Sequence, residues 1–237
     1  MQAIILAGGL GTRLKSVVTD KPKALSPVAG KPFLYYVIEY LKKEGVTEFV
    51  FSLGYLSEQV LDFLQQNYPQ LAYKYYIEES PLGTGGGIKK AITLTIAEDV
   101  LIVNADTYFD VNLLAMYQLH KQSNAQCTIA LKKMIDFDRY GAVEVNEANN
   151  IIHFKEKSFV QEGLINGGFI FLNRTHFIEK TAHLPEIFSF EKDFLEVNLH
   201  AMVIKGFASE GYFIDIGIPE DYKKAEIAFA SFPHLFL

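Results

Sequence analysis

Apolar positions along the chain switch between two periods. Residues 3–7 form a continuous apolar run of strand length, and Leu34, Val37, Ile38 and Leu41 then recur at helical spacing, closed by Gly45. The alternation repeats, with strands at 49–53, 73–77 and 100–103 and helices at 57–64, 87–96 and 113–120. Strands with few polar positions are buried on both faces, and each here is followed by a helix. That order predicts a mainly parallel sheet with helices on both sides.

The pattern changes after Cys127. Strand-like runs at 128–131, 142–145, 151–154 and 169–172 follow one another, with turns such as Asn149-Asn150 between some of them. Helical spacing returns near 190–199 and 221–230, with strands at 202–204 and 212–216 between. No linker, low-complexity tract or repeat separates the halves. The second half therefore reads as an elaboration of the same sheet, in one domain over residues 1–237.

Composition narrows the function classes. The 237 residues carry 22 Lys plus Arg against 28 Asp plus Glu, a formal net charge of −6, and 49% are hydrophobic. So much apolar material excludes intrinsic disorder. The acidic balance argues against a general nucleic-acid binder and still allows a small anion held by a few local cations. One cysteine, Cys127, permits neither an intrachain disulfide nor a cysteine zinc site, and its apolar surroundings read as core. The six histidines show no i, i+4 metal-ligand pair. No apolar run approaches 18 residues, and the run at 3–7 lacks the basic start and longer core of a signal peptide. A cytoplasmic protein without a membrane or nucleic-acid partner is the expectation.

Candidate chemistry begins directly after the first strand, at Leu6-Ala7-Gly8-Gly9-Leu10-Gly11-Thr12-Arg13-Leu14. Glycines at 8, 9 and 11 let backbone approach a ligand and turn its amides toward anions. The loop lacks the Gly-Lys-Ser/Thr ending of a Walker A motif, and Leu14 stands where a dinucleotide fingerprint needs its third glycine. A plain glycine-rich turn is the alternative. Asp20-Lys21-Pro22-Lys23-Ala24-Leu25 follows, its prolines stiffening the loop that carries Lys23. Arg13 and Lys23 together could clamp a polyphosphate. Asp106 follows the apolar run 100–103, and Asp215 sits inside Phe213-Ile214-Asp215-Ile216-Gly217. An acid in an apolar strand needs a cation, a metal or backbone donors. Two such acids could share one octahedral Mg²⁺ with phosphate oxygens, or each could cap a turn.

These segments resemble the sugar-1-phosphate nucleotidylyltransferases. The likeness begins at Leu6 to Leu14 and Lys21 to Leu25. It continues through Pro81-Leu82-Gly83-Thr84-Gly85-Gly86, Asn104-Ala105-Asp106, Glu156-Lys157, Asn166-Gly167-Gly168 and Asp215-Ile216-Gly217-Ile218-Pro219-Glu220. It spans residues 1 to about 222 in one order. The resemblance implies a Rossmann-like, mainly parallel mixed sheet with an inserted β region over the sugar site. It implies Arg13 and Lys23 as catalytic cations and Mg²⁺ held by Asp106 and Asp215. Nucleotide contacts would come from Leu6, Ala7, Gly8, Gly9, Gly11, Thr12, Glu78, Gly83, Thr84 and Asn104. Sugar-phosphate contacts would come from Glu156, Lys157, Asn166 and Gly167. Ser158 departs from the family, where proline usually follows the Glu-Lys pair.

Within the family the short, repeat-free chain is similar to members that transfer a guanylyl group from GTP to D-glycero-α-D-manno-heptose 1-phosphate. GTP and a sugar 1-phosphate are thus the implied substrates. Mannose 1-phosphate with GTP is the nearest rival pair, followed by uridylyl or thymidylyl transfer to another sugar. A non-catalytic nucleotide-sugar sensor would be expected to have lost one of Arg13, Lys23, Asp106 and Asp215. A glycosyltransferase would need no loop for a leaving pyrophosphate.

Overall fold

The computed structural model describes residues 1–9, 11, 14 and 18–231. Its central strands are β1 (Gln2–Ala7), β4 (Glu48–Leu53), β5 (Tyr73–Ile77) and β6 (Asp99–Asn104), all parallel in the order β6-β1-β4-β5. Alternation along β1 explains its unbroken apolar run. Ala3, Ile5 and Ala7 join one buried cluster and Ile4 joins the other, on the opposite face. Helices α1 (Phe33–Lys43), α2 (Ser57–Asn67), α3 (Gly83–Ala91) and α4 (Leu113–Gln122) connect or follow these strands. Pro32 opens α1, whose Phe33, Leu34, Val37, Ile38 and Leu41 enter the first cluster, and Gly45 at φ +86° turns the chain away. Among the described residues, no helix is long and apolar enough to cross a membrane.

The later strands extend this core as an antiparallel layer. β11 (Val160–Asn173) pairs with β6 at its carboxyl half and with β8 (Cys127–Phe137) along most of its length. β9 (Ala142–Val145) and β10 (Ile151–Phe154) continue that edge, and β12 (Ile204–Ser209) runs parallel to β8. The sheet is thus mixed, with a parallel core and an antiparallel addition. Cys127 is wholly buried, and burial pushes its thiol pKa up, as a core residue requires. The carboxyl-terminal half also contains α5 (Arg174–Thr181) and α6 (Pro219–Ser231).

Several elements differ from the sequence expectation: α5 had no counterpart in it, and β8 and β11 extend well beyond the runs at 128–131 and 169–172. Helix α3 starts at Gly83 rather than 87, because tertiary packing overrides the poor helix propensity of its glycines. The 190–199 helix is a π-helix over Phe190–Glu196, with Phe190, Phe194 and Leu195 buried around Phe177. The strand placed at 202–204 runs instead over Ile204–Ser209, following its register with β8. A short antiparallel ribbon, β7 (Thr107–Phe109) with β13 (Phe213–Asp215), appears where only β13 was expected.

A polar network sits at the amino-terminal end of β6. Asp99 accepts from His120 Nε2 at 3.2 Å, Lys121 Nζ at 2.8 Å and Asn173 Nδ2 at 3.2 Å. With Nε2–H so committed, His120 Nδ1 accepts from the Thr128 hydroxyl at 2.8 Å. Burial by itself would push the Asp99 carboxyl up. The His120 and Lys121 hydrogen bonds outweigh it and hold the pKa at about 2. A depressed folded pKa stabilises above the unfolded value of about 4 and is lost as pH falls toward 2. Asp99→Asn is expected to cost roughly 2 kcal/mol at pH 7 in urea unfolding. The gap to the parent should narrow between pH 4 and pH 2; a pH-independent gap would contradict the network's charge.

Candidate active site

The parallel strands end together along one sheet edge, where open α/β sheets bind ligands. β1 delivers Gly8 and Gly9, β4 Gly54, β5 Glu78, and β6 Asn104 and Asp106. The backbone here is packed as closely as glycine allows. A Cβ on Gly54 would lie 2.5 Å from the Gly8 carbonyl oxygen, and one on Gly8 would lie 2.6 Å from Glu78 Oε1. Glu78 is fixed in turn, accepting from Ser52 Oγ at 3.0 Å and from the Leu82 N–H at 3.1 Å. Of the expected nucleotide residues, Ala7 belongs to the core, half-buried Leu6 packs against the opposite cluster, and the Leu6 carbonyl accepts from Ala105 N–H at 3.0 Å. Gly11 adopts φ +59° with Lys23 Cβ beside it. Thr12 and Arg13 lie outside the described residues.

Lys23 begins a short 3-10 turn, Lys23–Leu25, set by Pro22 and pinned by buried Ala24 and Leu25. Its ammonium, on a side chain only 14% exposed, forms an ion pair with Asp106 Oδ2 and lies 3.6 Å from Asp215 Oδ1. The β7–β13 ribbon brings the two acids together. It pairs Asp215 with Thr107, and the Ile216 N–H donates to the Asp106 carbonyl at 3.0 Å. Asp215 also accepts from Gly217 N–H at 2.7 Å and from Tyr140 Oη at 3.4 Å. Burial and the neighbouring Asp106 charge push the Asp215 carboxyl up, against the pull of Lys23, Gly217 and Arg139. The pair therefore calls for more positive charge than one lysine brings. Two hard carboxylate donors fit a divalent cation such as Mg²⁺, which takes one or two carboxylates and completes its shell with other oxygens.

Next to these acids opens a cavity of about 210 Å³ between the main sheet and the antiparallel layer. Asn104, Lys157, Asn166 and Asp215 from the sequence reading all line it. Asn166 is held by two bonds: its Oδ1 accepts from Gly168 N–H at 2.9 Å and its Nδ2 donates to Glu191 Oε1 at 3.0 Å. The β11–β8 register shifts between Asn166 and Ile170, and Gly168 takes φ +78° there, so the segment is both an irregular strand and a cavity wall.

Some expected roles move. Gly168 rather than Gly167 lines the cavity, since a Cβ on Gly167 would meet the Phe109 ring at 2.4 Å. The Glu156 side chain is 92% exposed, 3.6 Å from Lys192, and not in the cavity wall. The glycines of the 83–86 loop answer to protein rather than to open space. A Cβ on Gly83 would lie 2.6 Å from the Phe188 carbonyl oxygen, on Gly85 2.3 Å from the Phe188 ring, and on Gly86 2.1 Å from the Glu186 carbonyl oxygen. Thr84 Oγ1 accepts from the Phe190 N–H at 3.1 Å, tying the loop to the π-helix. Sequence reasoning missed Arg139, which pairs with buried Asp221 and donates to Tyr140 Oη at 2.8 Å. Its signal was its rarity, one of three arginines in the chain, in a polar turn before an apolar strand.

Comparison with known proteins agrees with this geometry. The family model described as nucleotidyl transferase matches residues 2–231. The D-glycero-alpha-D-manno-heptose 1-phosphate guanylyltransferase of Aneurinibacillus thermoaerophilus is 46% identical over 226 residues, covering 95% of this chain and 97% of the relative. The protein of the same name from Campylobacter jejuni subsp. jejuni serotype O:2 is 43% identical over 222 residues, covering 94% and 97%. The crystal structure of HddC from Yersinia pseudotuberculosis complexed with GMP-PN superposes with a TM-score of 0.85, at 37% identity, over 96% of this chain and 99% of that one.

The glycine loop yields a test of packing. Gly86→Ala forces a methyl group against backbone that cannot swing aside, and is expected to cost about 1–3 kcal/mol in unfolding free energy. Gly9→Ala, with open space around its Cβ, is the control and should cost less than about 1 kcal/mol. Equal losses at both positions would show that the 186–188 contact does not set the loop.

Proposed function

We propose that this chain, which belongs to the nucleotidyl transferase family, transfers GMP from GTP to D-glycero-α-D-manno-heptose 1-phosphate, releasing pyrophosphate. The observation that carries the reading is Lys23 seated between Asp106 and Asp215 at the mouth of a polar cavity. The chemistry needs an anion held against a phosphorus centre, and this site combines cation, metal-ready acids and a sugar-sized space.

In this reading a phosphate oxygen of the sugar 1-phosphate attacks the α-phosphorus of GTP in line. A new P–O bond forms, the bond from the α-phosphorus to the β-phosphate oxygen breaks, and pyrophosphate leaves with that electron pair. The attacking oxygen is already anionic near neutral pH, so no general base is required. Catalysis comes from alignment and charge neutralisation. Lys23 acts on the α-phosphate, and Lys157 in the cavity wall acts on the sugar phosphate. Arg13 takes the leaving pyrophosphate. Asp106 and Asp215 would hold Mg²⁺, which when bound would supply further neutralisation of the phosphate oxygens. Tyr140, whose phenol burial keeps protonated, donates to Asp215 and helps fix its orientation. Glu78, immobilised by Ser52 and Leu82, accepts from the amino group of guanine, which supports GTP as the donor.

The substrate assignment is tested by a matrix of the four triphosphates against heptose, mannose and glucose 1-phosphates, scored by pyrophosphate release. GTP with the heptose substrate is expected to turn over fastest. Preference for UTP or dTTP would overturn the base assignment, and faster turnover of mannose would overturn the sugar assignment.

The charge cluster has its own test. Lys23→Ala is expected to lower the single-turnover rate about 10²–10³-fold, with a smaller effect on sugar-phosphate affinity. Asp106→Asn and Asp215→Asn should remove most turnover at unchanged melting temperature. Near-normal activity of either asparagine variant at limiting Mg²⁺ would refute its metal role.

A further inference from the structure

The π-helix Phe190–Glu196 lines the cavity beside β11, with which it is in direct contact through Glu191 and Asn166. Such helices are rare, occur mostly as single turns, and are frequent at functional sites. This one has a geometric consequence. In an α-helix, positions 191 and 196 would point about 140° apart. Under i→i+5 hydrogen bonding the wider turn brings them much closer to one face. Here both Glu191 and Glu196 reach the cavity wall, while Phe190, Phe194 and Leu195 are buried on the opposite side of the turn.

Two further contacts fix the turn. Ser189 caps it, accepting from Lys192 N–H at 3.2 Å, and its own N–H donates to Asp193 Oδ2 at 2.7 Å. Glu191 Oε1 accepts from Asn166 Nδ2 at 3.0 Å, so this carboxylate is aligned by the neighbouring strand β11. The cations that line the cavity, Arg139, Lys155 and Lys157, come from other segments, and the helix's own Lys192 is directed to Glu156. A sugar phosphate goes to the cations and is repelled by carboxylates. The end of the sugar remote from its phosphate therefore faces the π-helix. What a carboxylate binds there is hydroxyl groups, and two carboxylates suit a side chain with adjacent hydroxyls.

We propose that Glu191 and Glu196 are specificity residues that accept hydrogen bonds from the exocyclic 6,7-diol of the heptose, of which mannose keeps only the 6-hydroxyl. This rests on the proposed heptose reading and assigns residues to its selectivity. The π-turn is the device that places both carboxylates on one wall, and its tie to Thr84 holds that wall against the nucleotide loop.

The test compares heptose and mannose 1-phosphates as acceptors, at saturating GTP, for the parent, Glu191→Gln and Glu196→Gln. Glutamine keeps the shape and removes the charge. The ratio of kcat/KM for heptose over mannose is expected to fall about tenfold in each variant, mainly through a higher KM for heptose, at unchanged melting temperature. Equal losses on both sugars, or no change in the ratio, would overturn the assignment of these two residues while the parent still prefers heptose. A parent that prefers mannose would overturn the heptose reading itself and this inference with it. Should either single variant fold poorly, Glu191→Asp, which keeps the charge and shortens the reach, must show the same direction of change in the ratio.

Discussion

Everything at the site depends on holding two carboxylates together beneath a single ammonium. Asp106 and Asp215 repel one another, and burial adds to the cost of their charge. The fold accepts that cost through a ribbon of three residue pairs, β7 with β13, whose backbone bonds fix the acids irrespective of their charge. Lys23, on a turn stiffened by Pro22, offsets part of the repulsion. The remaining deficit of positive charge is what a divalent cation would supply in the proposed reaction.

The surrounding architecture serves that geometry. Parallel strands buried on both faces bring Gly8, Glu78, Asn104 and Asp106 to one edge with little freedom to shift. The antiparallel layer then folds over the edge and encloses a polar cavity beside the acids. Contacts between the glycine loop and residues 186–190 join the start of α3 to the π-helix through backbone.

Much of this was legible in the sequence, for physical reasons. Doubly buried strands announce themselves as unbroken apolar runs, and Asp106 directly after such a run marks the binding edge. What escaped has no local period. The β7–β13 ribbon is three residues long and pairs positions far apart in the chain. At glycines 83, 85 and 86 a missing Cβ signals close approach without naming what approaches. Here it is Phe188 and Glu186. The run at 190–199 carries helical spacing in Phe190 and Phe194, and only the packing of Leu195 beside Phe194 selects the wider turn. Arg139 was overlooked because its partner, Asp221, lies on α6.

The account's central claim is direct attack by the sugar's own phosphate on GTP. Oxygen-18 in the non-bridging positions of the heptose 1-phosphate tests it most directly, read by ³¹P NMR of the products. Direct attack predicts heavy oxygen in the bridge between the two phosphorus atoms of the nucleotide sugar, an isotope shift on both signals, and unlabelled pyrophosphate. Label appearing in pyrophosphate, or a product whose bridging oxygen is light, would contradict it.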